Sequence, residues 1–190
     1  LRNAQRMDRL IGNILDTARF RSGDTTLSLD NINVPEMVRE VEETTQPSLL
    51  HRKQKLTVNL PPDLPALRGD FDLLRRTLTN LLDNASKFSP ARGSLELTLI
   101  YDEEAFRFTI VDSGPGVAFE DRERIFDLYS RGQGQQSSGA GIGLAFCKLV
   151  VEAHGGRIWV DNPGEEGAIF VFTIPREIPT EAMYFRGKKS

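Results

Sequence analysis

The sequence predicts an α+β fold, a two-layer α/β sandwich that is preceded by one long amphipathic helix. Three observations lead to this prediction. Residues 1–22 repeat apolar side chains at helical spacing, and the following residues alternate between short strand patterns and helix patterns. Proline, glycine and acidic turns separate these patterns. We therefore divide the chain into a helix at residues 1–23, a compact domain at 24–176 and a polar tail at 177–190.

The composition is that of a globular protein, since 39% of the 190 residues are hydrophobic and 27% are charged. The net charge of −3 and the lack of a basic face with interleaved aromatic residues argue against a nucleic-acid partner. The single cysteine, Cys147, excludes a disulfide framework and suits a reducing cytoplasm. No apolar run is long enough to cross a bilayer, and no signal peptide is recognisable. We expect a cytoplasmic location, and membrane anchoring of the full-length protein stays open.

The helix at residues 1–22 is amphipathic in a way that is typical of coiled coils. Its apolar stripe alternates spacings of three and four residues and consists of Ala4, Met7, Ile11, Ile14 and Ala18. The opposite face carries the charged residues Arg2, Arg6, Arg9, Asp16 and Arg19. The stripe could pack on the chain's own domain, or it could belong in a helical bundle or dimer. We favour the bundle because the spacing is strict and the helix precedes the compact domain.

The first half of the compact domain is predicted to alternate two strands with two helices. A strand is expected at residues 27–32, and a helix with a proline in its first turn is expected from 34 to about 50. A second strand follows at 55–60. Asp70 is a suitable N-cap for a long helix that ends near Pro90.

The second half of the domain is predicted to complete the sheet. Strands are expected at residues 95–101, 106–111, 157–161 and 168–174. A short helix is expected at 121–127 and a longer one at 141–153, with His154 in a capping position at its end. Residues 130–139 contain no apolar side chain, so we expect a mobile loop there.

Two amides and an ammonium group lie on one face of the helix that follows Asp70. Asn80 and Asn84 are four residues apart, and Lys87 lies one turn further on. Amide oxygens are neutral hard ligands that suit Mg²⁺, and the ammonium would neutralise phosphate charge. In isolation such a pattern is more commonly a solvated polar face. Phe88 belongs either to the core or against a purine edge.

A carboxylate and two glycines follow the strand at residues 106–111. Asp112 stands at the strand end, where it could accept a hydrogen bond from the exocyclic amine of adenine and so select adenine over guanine. Gly114 and Gly116 let the backbone turn and approach a ring closely. An ordinary tight turn is the alternative interpretation.

A glycine-rich loop precedes the helix at residues 141–153. Gly139, Gly141 and Gly143 have neither the spacing of a dinucleotide-binding fingerprint nor the lysine of a P-loop. Backbone N–H groups at such a helix start can bind phosphate oxygens, although a flexible connector would look similar. Arg131, in the polar loop before these glycines, is either a phosphate clamp or a surface charge.

In this order, the motifs resemble those of the sensor histidine kinases of two-component systems, in the GHKL ATPase superfamily. The resemblance covers an N box at residues 80–89, a G1 box at 112–116, an F box at 125–129 and a G2 box at 139–144. It extends from about residue 27 to 175, so that residues 24–176 would be the ATP-binding catalytic domain. The preceding helix at residues 1–23 resembles the second helix of the family's dimerisation and phosphotransfer hairpin. It implies a Bergerat-type sandwich, in which helices cover one face of a mixed sheet, and it implies the binding of ATP and Mg²⁺.

The resemblance also implies a role for each motif residue. Asn84 would ligate Mg²⁺ with the assistance of Asn80, Lys87 would contact phosphate, and Asp112 would bind the adenine amine. The backbone N–H groups that would bind phosphates belong to Gly141, Ile142, Gly143 and Leu144. Phe126 would anchor the loop that closes over the triphosphate.

One family motif is missing from the sequence. The H box is a helical histidine followed by an acidic residue, and neither His51 nor His154 occupies its place. The chain is therefore expected to bind ATP and to transfer the γ-phosphate to a histidine on a hairpin helix outside it, so that no catalytic residue is assigned within it. The implied partners are that hairpin of the same kinase, a response regulator that binds through it, and a second subunit in a full-length homodimer.

Two other functions stay open. Hydrolytic ATPases of the gyrase or Hsp90 type place a glutamate four residues before the metal-binding asparagine. Here that position is Asn80, and an amide cannot accept the proton of an attacking water. A non-catalytic ATP-binding module with a regulatory role is the other alternative, because a binding site is not by itself an activity.

Overall fold

The structure is a computed structural model, and it describes residues 2–22, 26–128, 130, 141–161 and 167–179. The side chains of residues 2–10 and of Arg21 are not among those described. Within the described residues, no helix combines the length and the apolar character needed to span a membrane. The predicted loop at 130–139 and the tail at 177–190 lie largely outside the described residues.

The described elements alternate between helices and strands, as predicted. In chain order they are α1 (Arg2–Ser22), β1 (Asp30–Ile32), α2 (Val34–Arg52), β2 (Lys55–Asn59), β3 (Leu67–Gly69), α3 (Phe71–Phe88), β4 (Ser94–Tyr101), β5 (Ala105–Val111), α4 (Gly143–Ala153), β6 (Arg157–Asp161) and β7 (Ile169–Pro175). Two short 3₁₀ turns, Phe119–Asp121 and Arg124–Phe126, precede α4.

Five strands form a mixed sheet in the order β2-β4-β5-β7-β6. Strands β2 and β4 are parallel, and the other neighbours in this sheet are antiparallel. Strands β1 and β3 form a separate antiparallel pair. The mixed sheet that the resemblance implied is therefore confirmed.

One face of the sheet is buried under the helices. The buried residues alternate along the central strands: Leu95, Leu97 and Leu99 in β4, and Phe106, Phe108 and Ile110 in β5. The rings of Phe108 and Phe172 stack across neighbouring strands with a centroid distance of 4.6 Å. The intervening residues are exposed or half-buried, so the period of two assigns one face to the core. The two-layer α/β sandwich is confirmed.

The described part of the apolar stripe of α1 faces away from the rest of the chain. Ile11 and Ile14 are 50% and 46% exposed, and Ala18 is also exposed. The face that packs on the domain contains Thr17 and Phe20, which are 4% and 0% exposed. For these described side chains, packing of the stripe on the chain's own domain is therefore wrong, and the stripe is available to another helix.

Several element boundaries differ from the predictions. Strand β1 is shorter than the predicted 27–32, and the short strand β3 was not predicted because its three residues show no recognisable alternation. The predicted helix at 121–127 consists of two 3₁₀ turns. Helix α2 continues through Pro47 to Arg52. Pro47 lies on the exposed side of the helix, where water can donate to the carbonyl group that the missing N–H leaves without a partner.

The start of α3 is fixed by two polar side chains. Asp70 caps the helix by accepting a 3.2 Å hydrogen bond from the N–H of Leu73, as predicted. His154, at the end of α4, is fully buried, and its Nε2 accepts a 3.0 Å hydrogen bond from the N–H of Asp70. Its Nδ1 lies 2.7 Å from the carbonyl oxygen of Val150, which can only accept, so Nδ1 carries the proton. The capping position of His154 is confirmed, and its ring also joins two helices.

The neutral form of His154 predicts a pH-dependent stability. Burial lowers the pKa of His154 below its ordinary value of 6.5, because protonation would put a charge in the core and a second donor opposite the N–H of Asp70. The folded state therefore binds fewer protons than the unfolded state. We expect the free energy of unfolding to be fully retained above about pH 6.5 and to decrease as the pH falls below it.

Urea unfolding at pH 7.5 and pH 5.5 tests this expectation. A His154→Leu variant should be less stable at pH 7.5 by about 1–2 kcal/mol, but it should lose less stability than the wild type between the two pH values. Equal losses in the two proteins would show that His154 does not cause the pH dependence.

Candidate active site

Helix α3 presents the predicted polar residues on the side opposite its buried apolar residues. The buried set is Leu74, Leu78, Leu81, Leu82 and Ala85. Asn80, Asn84, Lys87 and Phe88 are half-buried and follow one another along the accessible face. The Nζ atom of Lys87 lies 4.7 Å from the centre of the Phe88 ring. The amphipathic pattern thus gives one helix both a core face and a site face.

Asp112 is held at the end of β5 by the backbone. Its Oδ1 accepts hydrogen bonds from the N–H groups of Gly114 and Ala168, at 2.8 and 3.2 Å. Only 6% of the residue is exposed, and this burial raises the pKa of Asp112 above its ordinary value, while the two N–H donors act in the opposite direction. The two bonds to Oδ1 fix the orientation of the carboxyl group.

The turn after Asp112 lies directly against the end of α3. A Cβ atom on Gly114 would lie 2.9 Å from Asp112 Oδ1 and 3.0 Å from the carbonyl oxygen of Phe88, so no larger residue fits without movement. The N–H of Gly167 donates a 2.6 Å hydrogen bond to the carbonyl oxygen of Gly114. Gly116 has a φ of 75°, in the left-handed region that favours glycine. The glycines are therefore required by close approach and by a positive φ.

The start of α4 offers backbone N–H groups beside Asn80. Helix α4 begins at Gly143, and its N-cap, Ile142, provides no side-chain hydrogen bond. The side chain of Ile142 is buried, with 4% exposure, so it anchors this end to the core. A Cβ atom on Gly143 would lie 3.8 Å from Asn80 Oδ1. Within the described residues this helix start has no side-chain cap and lies beside a carboxamide oxygen, which is an arrangement suited to an anion and its counterion.

The donor set at this point fits magnesium that is shared with phosphate. No group of three or more histidine, cysteine, aspartate or glutamate side chains that could hold a metal occurs among the described residues. On the site face of α3, the side-chain oxygen donors are the amides of Asn80 and Asn84. Mg²⁺ keeps several waters and commonly takes few protein ligands together with phosphate oxygens, so two amides are sufficient only when nucleotide is present.

A polar network joins Asn80 to helix α1. Asp16 forms an ion pair with Arg76, and Arg76 Nη2 donates a 2.7 Å hydrogen bond to Asn13 Oδ1. Because the guanidinium can only donate, Asn13 turns its Nδ2 toward Asn80 Oδ1, at 3.3 Å. Arg76 also lies over the ring of Phe146, 4.7 Å from its centre. The sequence placed Asp16 on the charged face of α1, and its ion pair with Arg76 shows that this part of the face contacts α3.

The remaining motif residues are divided between described and undescribed segments. Phe126 is 5% exposed and packs edge-on against Phe170, with ring centres 6.5 Å apart. Gly141 has a φ of 67°, and Leu144 lies half-buried in the first turn of α4. Arg131 and Gly139 lie outside the described residues.

Sequence reasoning missed two contributors to the site. Arg76 stands four residues before Asn80 on the same helical stripe, so the spacing already used for Asn84 could have revealed it. Ala168 binds Asp112 through its backbone N–H, and a backbone contact between segments that are far apart along the chain has no signal in the sequence.

Comparisons with known proteins identify the family of the chain. Residues 69–178 match the family described as "Histidine kinase-, DNA gyrase B-, and HSP90-like ATPase". The adaptive-response sensory kinase SasA of Synechococcus sp. (strain JA-2-3B'a(2-13)) is 35% identical over 173 residues, which cover 90% of this chain and 46% of the relative. The chain thus spans about half the length of this curated relative.

Solved structures with the same fold include two that are informative here. Full-length ShkA, crystallised in complex with AMPPNP, is 32% identical with a TM-score of 0.76, over 87% of this chain and 35% of that chain. The nucleotide-free catalytic domain of the histidine kinase ThkA is 26% identical with a TM-score of 0.70, over 78% of this chain and 98% of that domain. The chain therefore belongs to the histidine kinase-, DNA gyrase B- and HSP90-like ATPase family, as a catalytic domain of the sensor histidine kinase type.

Proposed function

We propose that this chain binds Mg-ATP and transfers its γ-phosphate to a histidine on a hairpin helix of the same kinase. The observation that carries the proposal is the convergence of three parts: the amides of α3, the buried carboxylate of Asp112 and the uncapped start of α4 at Gly143. The AMPPNP complex of the similar ShkA supports the choice of nucleotide.

Each part of the site would act on a different part of the nucleotide. Asp112 Oδ2 would accept from the adenine amine, and the N–H groups of Gly143 and Leu144 would bind phosphate oxygens. Asn84, with Asn80, would hold magnesium, which supplies charge neutralisation of the phosphates when it is bound. Lys87 would add a cation at the same face. These residues bind and orient the nucleotide, which is the main contribution of a protein to phosphoryl transfer.

The transfer itself requires an imidazole from outside the described site. The P–O bond between the β- and γ-phosphates breaks, ADP leaves, and a P–N bond forms to the acceptor histidine. His154 is fully buried and hydrogen-bonded through both ring nitrogens, so it cannot serve as that acceptor. A hydrolytic activity is disfavoured because Asn80 cannot remove a proton from water. A response regulator would then receive the phosphoryl group from the hairpin histidine.

The exposed apolar stripe of α1 is evidence for a contact with a partner helix. Ile11, Ile14 and Leu15 are 50%, 46% and 54% exposed, although their neighbours on the inner face are buried. We infer that this stripe packs in a helical bundle with the hairpin's other helix and a second subunit.

Sedimentation of a longer chain with both hairpin helices should show a dimer that Ile11→Asp dissociates. A monomer before substitution would contradict this inference.

Asp112→Asn should weaken ATP binding about 100-fold. The asparagine oxygen would keep the bonds to Gly114 and Ala168, so its NH₂ group would face the base and would oppose the adenine amine. Guanine presents a carbonyl oxygen at that place, so GTP should lose much less affinity. Calorimetry with both nucleotides tests the assignment, and the exposed Asp30→Asn serves as control. Unchanged ATP affinity would refute the adenine role.

Phosphotransfer can be measured with γ-labelled ATP, Mg²⁺ and a separate protein that carries the phosphoacceptor hairpin. An acid-labile, base-stable label on the hairpin is expected, as is typical of phosphohistidine. Asn84→Ala should abolish the label and the magnesium dependence of nucleotide binding, while the circular dichroism spectrum is retained. ATP binding without any transfer in the wild type would instead favour the regulatory ATP-binding module.

A further inference from the structure

A buried glutamine from outside the four motifs holds the end of α3. Gln54 follows α2 and is 8% exposed. Its Nε2 donates toward three carbonyl oxygens, those of Ser86 at 2.8 Å, Pro90 at 3.0 Å and Ser89 at 3.2 Å. Its Oε1 accepts a 2.6 Å hydrogen bond from the hydroxyl group of Ser86. One side chain therefore satisfies carbonyl groups that the end of a helix would otherwise leave without partners.

Arg52 holds the same helix end from the neighbouring side. Its Nη2 donates to the carbonyl oxygens of Lys87 and Ser89, at 3.1 and 3.0 Å. The positive charge at the negative end of the α3 dipole adds to these bonds. The turn from Arg52 to Gln54 thus holds the end of α3 by hydrogen bonds. This end carries Lys87 and Phe88, the last two residues of the site face.

These hydrogen bonds extend to the turn beside Asp112, whose carboxylate is proposed to bind adenine. The hydroxyl oxygen of Ser89, a residue 1% exposed, accepts a 3.2 Å hydrogen bond from the N–H of Ser113, which directly follows Asp112. The Ser113 hydroxyl group is in turn bonded at 3.1 Å to the N–H and to the carbonyl oxygen of Ser94. A continuous path of hydrogen bonds therefore runs from Gln54 through Ser89 to the turn that orients Asp112.

We propose that Gln54 is a positioning residue for the adenine end of the nucleotide site. It fixes the carbonyl group and backbone of Ser89, so that the Ser89 hydroxyl oxygen holds Ser113 and the carboxyl group of Asp112 points at the base. The proposal rests on the proposed binding of ATP. It assigns base selection partly to a side chain that touches no nucleotide, because a misplaced carboxylate distinguishes adenine from guanine poorly.

The test measures the affinities of the whole chain for ATP and GTP by calorimetry, well below the melting temperature. Gln54→Met keeps the length of the side chain and removes its donors and its acceptor. We expect ATP to bind about 10-fold more weakly, GTP to change less, and the dependence on Mg²⁺ to remain. Gln46→Met, an identical change on the exposed face of α2, should leave both affinities unchanged.

Ser89→Ala provides a second test in case Gln54→Met does not fold. It removes only the hydroxyl group that accepts from Ser113, and it should lower the preference for ATP over GTP in the same direction. The double variant should lose less than the product of the two single effects, because both substitutions act on one path.

Three results would overturn the inference. If the folded variants have lower melting temperatures but the wild-type ratio of ATP to GTP affinity, Gln54 is merely structural. If Gln54→Met does not fold and Ser89→Ala keeps the wild-type ratio of ATP to GTP affinity, the hydrogen bonds through Ser89 do not contribute to the selection of adenine. If the wild type does not bind ATP, the proposed function fails and this inference fails with it.

Discussion

Helix α3 has to serve two purposes, and the rest of the structure depends on how it is held. Its leucines form the centre of the core, while Asn80 and Asn84 line the site on the other face. Such a helix can only be useful if it neither rotates nor slides. Its start is fixed by the cap from Asp70 and the ring of His154, and its end is fixed by Gln54. Because buried polar contacts fix both ends of the helix, they also fix the positions of the residues on its site face.

The site is assembled by short contacts between elements that are distant in sequence. The turn after Asp112 lies on the last carbonyl group of α3, and the start of α4 lies beside the Asn80 side chain. Helix α1 reaches the same place, where Asn13 donates to Asn80. The carboxamide that is proposed to assist magnesium is therefore also a contact of α1. The hydrogen bond from Asn13 and the proposed magnesium contact thus involve the same atom, Asn80 Oδ1.

Much of this arrangement could be predicted from local patterns. The N-cap at Asp70, the spacing of Asn80 and Asn84, and the carboxylate at the end of β5 all have signals within a few residues. The contribution of Gln54 could not be predicted in this way, since a glutamine after a helix is an ordinary surface residue until its partners are known. Arg76 had a local signal in its spacing from Asn80, but its partners on α1 had none. His154 is a similar case, since only its capping position could be predicted.

The sequence by itself determined the two-layer fold, the order of the motifs and the family, because hydrophobic periodicity and glycine placement are local properties of the chain. Only the tertiary structure decided which face of α1 packs inward, which residues fix the ends of α3, and which N–H groups orient Asp112. Most of these depend on hydrogen bonds between residues that are far apart in sequence, such as Gln54 and Ser86, 32 positions apart, and His154 and Asp70, 84 positions apart. A buried polar group must find a partner wherever the fold provides one, and the linear sequence does not identify that partner.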